Sequence, residues 1–82
     1  MDIVEYTELL VRNLVMEADM IKVEAFENDD EPMVLEIMVP EHEMKYVIGK
    51  SGKNAQALRT LINAYGYIHG LKKKVKINIS SF

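Results

Sequence analysis

The chain contains no cysteine and no run of apolar residues long enough to cross a membrane. The lack of cysteine excludes disulfide bonds, zinc sites with thiolate ligands and thiol nucleophiles, and it is typical of a reducing compartment. A membrane-spanning helix needs about 20 consecutive, mostly apolar residues. The start of the chain carries acidic side chains where a signal peptide requires basic ones. The sequence therefore predicts a cytoplasmic protein with no membrane partner.

Acidic residues are absent from the second half of the chain. Residues 1–43 contain all 13 acidic residues and two of the 10 basic ones, which gives a net charge of −11. Residues 44–82 contain the other eight basic residues and no acidic one, which gives a net charge of +8. The two halves sum to the net charge of −3 of the whole chain, which hides this division. One consequence is a localised electropositive surface for an anionic partner. The alternative is that the two halves neutralise each other across the fold.

Length and hydrophobic content indicate one small folded domain, which we place at residues 1–82. The hydrophobic fraction of 49% is enough for a packed core. Apolar periodicity predicts a helix over residues 3–16, strands over 21–27 and 33–39, a helix over 41–48, a further helix from the following glycines to about Gly66, and a strand over 74–80. The order is α-β-β-α-α-β. It indicates an α+β fold with a three-stranded mixed sheet and three helices on one face, because a long helical crossover favours a parallel strand pair.

Three details of these elements depend on particular residues. Asp2 is a suitable N-cap for the first helix, since its short side chain can accept a hydrogen bond from a free amide of the first turn. Residues 28–32 contain asparagine, aspartate and proline, which favour a turn. The run Met33–Val39 is almost continuously apolar. It therefore predicts a central strand that is buried on much of both faces.

Between the last two predicted helices, two glycines bracket a lysine and a serine. Glycine permits positive φ and places no Cβ in the way of an approaching ligand. The amides of Lys50, Ser51 and Gly52 are expected to lack intrahelical partners at the start of the next helix, where phosphate binds readily. Lys50 and Lys53 add positive charge there. The simpler alternative is that Gly49 is only a helix C-cap and Gly52 only a turn residue.

The segment Val47–Gly52 resembles the V-I-G-x-x-G signature of KH domains. The order of elements is similar to the type II, bacterial arrangement of that fold. The small stand-alone bacterial KH proteins of the KhpA-like group have a similar I-G-K-x-G run followed by an alanine-rich, basic helix, here Lys53–Arg59. The resemblance covers essentially the whole chain, and it implies a type II KH-like fold.

The same resemblance implies binding of single-stranded RNA, of which a KH domain clamps about four nucleotides with the GxxG loop on their backbone. Ile48 and Ala55 would help to form an apolar floor under the bases. The RNA-binding residues that it implies are Ile48, Gly49, Lys50, Ser51, Gly52, Lys53, Asn54 and Ala55, with Lys45, Arg59 and Lys74 as further candidates. It also implies an RNA chaperone or post-transcriptional regulator that forms a homodimer, or a heterodimer with a larger KH-containing protein of the Jag (KhpB) type.

Two alternatives stay open at this point. The chain could be a protein–protein interaction or ribosome-assembly adaptor module whose RNA groove is vestigial. The run Lys72–Lys74 could guard a strand edge against aggregation or widen the RNA footprint. A P-loop is excluded because Met44 or Val47 stands where its first glycine is required. We predict no catalytic constellation, metal site or cofactor, and therefore no enzyme.

Overall fold

The computed structural model describes residues 1–28 and 30–82. Its regular elements are α1 (Ile3–Arg12), β1 (Lys22–Asn28), β2 (Glu31–Val39), α2 (Met44–Ile48), α3 (Lys53–Ile68) and β3 (Lys76–Ser81), with single 3₁₀ turns before β1, α2 and α3. The predicted order α-β-β-α-α-β is confirmed. None of the helices in these described residues has the length and apolarity that a membrane span needs.

The sheet is mixed, with strand order β1-β2-β3. β1 and β2 pair antiparallel, and β2 and β3 pair parallel because the chain crosses back through α2 and α3 before it re-enters the sheet. The prediction that residues 33–39 form the central strand is confirmed. β3 is an edge strand, so its outer edge has no strand partner in the described chain. Residues of α3 lie beside this edge.

The helices cover one face of the sheet, and the core lies between them. On β2, Leu35, Ile37 and Val39 are buried against the helices, whereas the alternate residues, including Glu36 and Met38, are only half-buried on the open face. The prediction that this strand is buried on both faces is therefore wrong. No second layer packs on the open face within the described residues, so only every second side chain reaches the core.

The boundaries of the elements differ by a few residues from the sequence predictions; β1 covers Lys22–Asn28 rather than 21–27, and α2 begins at Met44 rather than at residue 41. Asp2 caps α1 as predicted and forms a capping box with Glu5, but the helix ends at Arg12 rather than near residue 16. β2 begins at Glu31, so the predicted turn over 28–32 is shorter; Asp29 lies outside the described residues. β3 begins two residues later than predicted, at Lys76.

Gly66 does not end the last helix, which continues to Ile68. It is buried inside α3, and a Cβ at this position would lie 3.0 Å from Cδ1 of Leu71. The chain leaves the helix at Gly70, which has φ of 92°. Gly66 is therefore a close-packing position for the segment that returns to β3, and Gly70 supplies the left-handed conformation that ends the helix.

Glu43 is the only buried acidic residue in the described chain, with 1% of its surface exposed. Its Oε2 accepts hydrogen bonds from the backbone amides of Met16 (2.9 Å) and Glu17 (2.7 Å). These bonds tie the connection after α1 to the turn that starts α2. Glu43 lies four residues before the buried Val47, a spacing that places both side chains on the core-facing side of this segment.

Candidate nucleic-acid interface

The loop between α2 and α3 has an unusual backbone. Gly49 (φ 76°, ψ 173°) and Gly52 (φ 75°, ψ 14°) both have positive φ, as the sequence predicted. Ser51 also has positive φ (56°), and it is the only non-glycine residue in the described chain that does. A left-handed conformation costs a non-glycine residue about 1 kcal/mol. The loop therefore holds Ser51 in a conformation that is mildly unfavourable for a residue with a side chain.

The amide groups of this loop are only partly free. Gly52 donates its N–H to the carbonyl oxygen of Gly49 at 3.1 Å, so the prediction of three unpaired amides is wrong for Gly52. The 3₁₀ turn over Lys50–Gly52 closes with this bond. No hydrogen-bond acceptor within residues 1–28 and 30–82 pairs with the amides of Lys50 and Ser51. Two neighbouring backbone donors thus remain at the start of α3.

Asn54 fixes the loop from inside. Its Nδ2 donates to the carbonyl oxygen of Tyr46 at 2.7 Å, which joins the start of α3 to the end of α2. A Cβ on Gly49 would lie only 2.7 Å from Cγ of Asn54, so the glycine makes room for this side chain. A Cβ on Gly52, by contrast, would meet no heavy atom within 4 Å. The absence of a Cβ at Gly49 is therefore needed for packing within the protein. At Gly52 the space that a Cβ would occupy is open to solvent.

A groove of about 480 Å³ runs from this loop between α3 and the outer edge of β3. We call it the loop groove, and its lining residues are Ile48, Ser51, Gly52, Ala55, Gln56 and Arg59 on the helical side and Ile77, Asn78 and Ile79 on the strand side. Its centre is apolar because isoleucine and alanine side chains face each other across it. Gln56, Arg59 and Asn78 supply polar groups at its borders.

The predicted site residues are thus brought together only in part. Ile48, Ser51, Gly52, Ala55 and Arg59 line the loop groove. Lys50 and Lys53 are exposed beside it, and Asn54 is half-buried behind the loop. Two residues lie farther away: the Lys45 ammonium sits 5.2 Å from the centre of the Tyr46 ring, and Lys74 lines a neighbouring groove that also contains Arg59.

The lysines and arginine of residues 44–82 form no ion pairs with carboxylates among the described residues. The three ion pairs found among the described residues, Arg12–Glu8, Lys22–Glu24 and His42–Glu17, all lie within residues 1–43. The alternative that the two halves neutralise each other by direct ion pairs therefore does not describe this fold.

The sequence did not predict which residues form the strand side of the loop groove. Ile77, Asn78 and Ile79 lie more than 20 positions after the loop in the sequence, and nothing in their local pattern says which helix they face. Gln56 was also missed; it lies one helical turn after Gly52, a spacing that places both on one side of α3. Among the described residues, no group of three or more histidine or acidic side chains is arranged to hold a metal ion.

Comparison with known proteins gives the family. The model of the family "KhpA/KhpB, KH domain" matches residues 4–79. This chain belongs to that KH family. The family is not one of enzymes, and the α+β arrangement with its glycine loop between two helices is the KH fold.

Relatives and solved structures agree with this assignment. The chain is 40% identical over 62 residues to a protein of Aquifex aeolicus named RNA-binding protein KhpA, covering 76% of this chain and 77% of the relative. A protein of Borreliella burgdorferi with the same name is 33% identical over 61 residues, covering 74% and 73%.

The fold also superimposes on part of Era. One structure is a variant of Aquifex aeolicus Era bound to GDP and AlF4⁻, with a TM-score of 0.71, 20% identity and 98% of this chain covered. Another is Era with MgGDPNP and nucleotides 1506–1542 of 16S ribosomal RNA, with a TM-score of 0.67, 21% identity and 96% covered. The chain spans only 30% and 29% of these two Era chains, and at such identities the likeness concerns the fold alone.

Proposed function

We propose that this chain binds single-stranded RNA, with the RNA backbone at the loop Gly49–Gly52 and the bases in the loop groove. One observation carries the proposal: the unpaired amides of Lys50 and Ser51 lie directly beside an apolar groove on a surface whose cations have no carboxylate partners among the described residues. Backbone donors at the start of a helix attract phosphate. The names of the two KhpA relatives point to the same ligand.

Each loop residue has a distinct part in this proposal. The amides of Lys50 and Ser51 donate to phosphate oxygens, and the Lys50 and Lys53 ammonium groups add charge. Gly52 leaves open space for the close approach of the RNA backbone. Asn54 is a positioning residue, because one N–H of its side-chain amide already donates to the carbonyl oxygen of Tyr46; its oxygen and its second N–H remain as contacts for RNA.

The bases lie on the apolar centre of the loop groove. Ile48 and Ala55 form its helical wall and Ile77 and Ile79 its strand wall. Because Ala55 is small, the floor offers limited contact to each base, and binding by one domain is weak and tolerant of sequence. Such binding suits an RNA chaperone or post-transcriptional regulator.

The direct test is an RNA titration at several salt concentrations. Each phosphate that the protein neutralises on a single strand contributes a slope of roughly −0.7 to log K against log salt. With about three phosphates held, we expect affinity to fall roughly tenfold for a threefold rise in salt. Fluorescence anisotropy with a labelled single strand measures this. Retention of protein partners after RNase treatment, without any salt-dependent RNA binding, would favour the adaptor function instead.

We further propose that the chain forms a homodimer through the exposed side of α3. Ala57, Leu61, Ala64 and Ile68 recur at helical spacing, and the two large side chains are well exposed, Leu61 by 44% and Ile68 by 77%. The stripe carries no charge, so a second copy can pack on it by two-fold symmetry without like-charge repulsion. Helical geometry places it away from the loop groove. Two grooves on one RNA strand would raise the overall affinity of weak single sites.

The dimer is tested with Ile68→Lys, which places a charge in the stripe without adding repulsion toward RNA. We expect wild-type protein to sediment near twice its chain mass of 9.4 kDa and Ile68→Lys to sediment as a monomer. Met16→Lys is the matched control, because Met16 is equally exposed, at 78%, on another surface. If the wild-type protein is a monomer and forms a one-to-one complex with a larger Jag-type KH protein, the stripe is instead the interface of a heterodimer. A dimer that survives Ile68→Lys would contradict this interface.

A further inference from the structure

The loop groove continues into a second groove along the same edge of β3. We call it the lysine groove, and it has a volume of about 630 Å³. Its lining includes Arg59, Thr60 and Asn63 of α3, Lys74 and Val75 of the approach to β3, and Lys76 at the start of β3. The two grooves share Arg59, Ile77 and Asn78 in their linings. The two grooves therefore adjoin, and an RNA strand that leaves the loop groove past Arg59 enters the lysine groove.

The lysine groove is positively charged. Arg59, Lys74 and Lys76 are all exposed, and no acidic residue lies among those that line the groove. The loop groove, in comparison, has Arg59 as its only charged lining residue. The charge of the lysine groove thus complements a polyanion.

Asn63 holds the two walls of the lysine groove together. Its Oδ1 accepts the backbone N–H of Val75 at 2.7 Å, and its Nδ2 donates to the carbonyl oxygens of Arg59 (2.9 Å) and Val75 (3.2 Å). These bonds pin the segment before β3 to α3. The backbone segments that carry Arg59 and Lys74 are therefore held beside each other before any ligand arrives, which reduces the ordering cost of binding.

The lysine run is divided between two surfaces. Lys72 and Lys73 line a different hollow, together with Glu27 near the end of β1 and Glu31 at the start of β2. The Nζ of Lys73 donates to the carbonyl oxygen of Asp30 at 2.9 Å. Of the three consecutive lysines, only Lys74 lines the lysine groove. Lys76 lines the same groove. The run is not one continuous basic patch.

We infer that single-stranded RNA continues from the loop groove into the lysine groove, where Arg59, Lys74 and Lys76 bind its phosphates. The inference rests on the proposed function and extends it: the chain covers more nucleotides than the four or so that a KH loop clamps. Lys74 and Lys76 contact only the extension. Arg59, at the junction, serves both parts.

The test combines two RNA lengths with two double variants. One oligonucleotide has about four nucleotides, the length that a KH domain clamps, and the other is about twice as long. The variant Lys74→Ala with Lys76→Ala removes two cations of the lysine groove. The control, Lys72→Ala with Lys73→Ala, removes the same charge from the hollow beside the β1–β2 turn. All four substituted side chains are exposed, so both proteins are expected to fold.

We expect wild-type protein to bind the longer oligonucleotide more tightly, with a steeper salt dependence. Loss of Lys74 and Lys76 should weaken binding of the longer oligonucleotide about tenfold at low salt and reduce its slope by about 1.4, since each phosphate contributes roughly 0.7. Binding of the short oligonucleotide should stay within about twofold, and the control should behave as wild type.

The outcomes separate this inference from the proposed function. If wild-type protein binds neither oligonucleotide, the proposed function itself is wrong. If it binds both, but the Lys74 and Lys76 variant weakens them equally, or no more than the control does, RNA does not enter the lysine groove and the inference is overturned while the proposed function stands.

Discussion

Replacement of Lys50 and Ser51 by aspartate is expected to lower the affinity for single-stranded RNA at least about 30-fold at low salt. A hydrogen bond to a charged group contributes about 1.5–3 kcal/mol, and each 1.4 kcal/mol is a factor of ten in affinity. The two carboxylates would repel phosphate at the place where the unpaired amides would bind it. Aspartate is among the residues that accept positive φ best, so Ser51→Asp preserves the loop conformation.

A matched control is available beyond the C-terminal end of α3. Gly70→Asp with Lys72→Asp changes the net charge by −3, the same as Lys50→Asp with Ser51→Asp. Gly70 has positive φ, and a Cβ there would meet no heavy atom within 4 Å, as at Gly52; Lys72 is exposed. We expect this control to bind RNA within about threefold of wild type, because its charges lie outside both grooves, with a small loss of stability from backbone strain of about 1 kcal/mol.

Circular dichroism and thermal melting accompany both binding measurements. The loop is exposed, so the Lys50 and Ser51 variant should melt within a few degrees of wild type while it loses RNA. Equal loss of RNA binding in both proteins would mean that overall charge, and not the loop, determines binding. Unchanged binding in the loop variant would contradict the proposed site directly.

Glu43→Ala is expected to destabilise the fold by about 3 kcal/mol. The substitution leaves the amides of Met16 and Glu17 without the part-buried carboxylate that accepts from them, and hydrogen bonds to a charged group contribute about 1.5–3 kcal/mol. It also opens a void where the side chain packed. Since a domain of this size has a total stability of about 5–15 kcal/mol, the melting temperature should fall on the order of 15 °C.

Two further variants isolate the role of the Glu43 carboxylate. Glu43→Gln keeps an oxygen acceptor but loses the charge-assisted strength of the bond, so we expect a loss of about 1 kcal/mol. Glu41→Ala removes an exposed acid from the same 3₁₀ turn and should change stability by about 0.5 kcal/mol or less. Chemical denaturation measures all three. A stability of Glu43→Ala close to that of Glu41→Ala would show that its hydrogen bonds contribute little.

If the chain is a protein-binding adaptor, the same variants should have different effects. A protein-binding module with a vestigial groove would use the α3 stripe, and its activity would depend on Ile68 and not on Lys50 or Ser51. In the proposed function both surfaces act together, because dimerisation joins two weak RNA sites. Comparing the loop variant with Ile68→Lys in one RNA assay therefore distinguishes loss of the site from loss of avidity.

Most element types and their order could be predicted from local pattern. The alternation through Val75, Ile77 and Ile79 and the capping signal at Asp2 depend on residues within one or two turns of each other, and the structure agrees with them. Gly66 misled the prediction because a glycine that ends a helix and a glycine that allows close packing look the same in sequence. The difference lies in Leu71, which packs against it.

The sequence alone determined the order of elements, the glycine loop with its positive φ angles, and the division of charge between the two halves of the chain, because each of these follows from residues that are neighbours along the chain. Only the tertiary structure decided that Ile77 and Ile79 face the loop groove, that Glu43 is buried, and that Lys74 joins Arg59 while Lys73 turns to the β1–β2 turn. The physical reason is that these relations arise from contacts between segments that are distant in sequence. β3 lies beside α3, and the segment after α1 binds Glu43 in the 3₁₀ turn before α2. No local pattern in the sequence connects such segments.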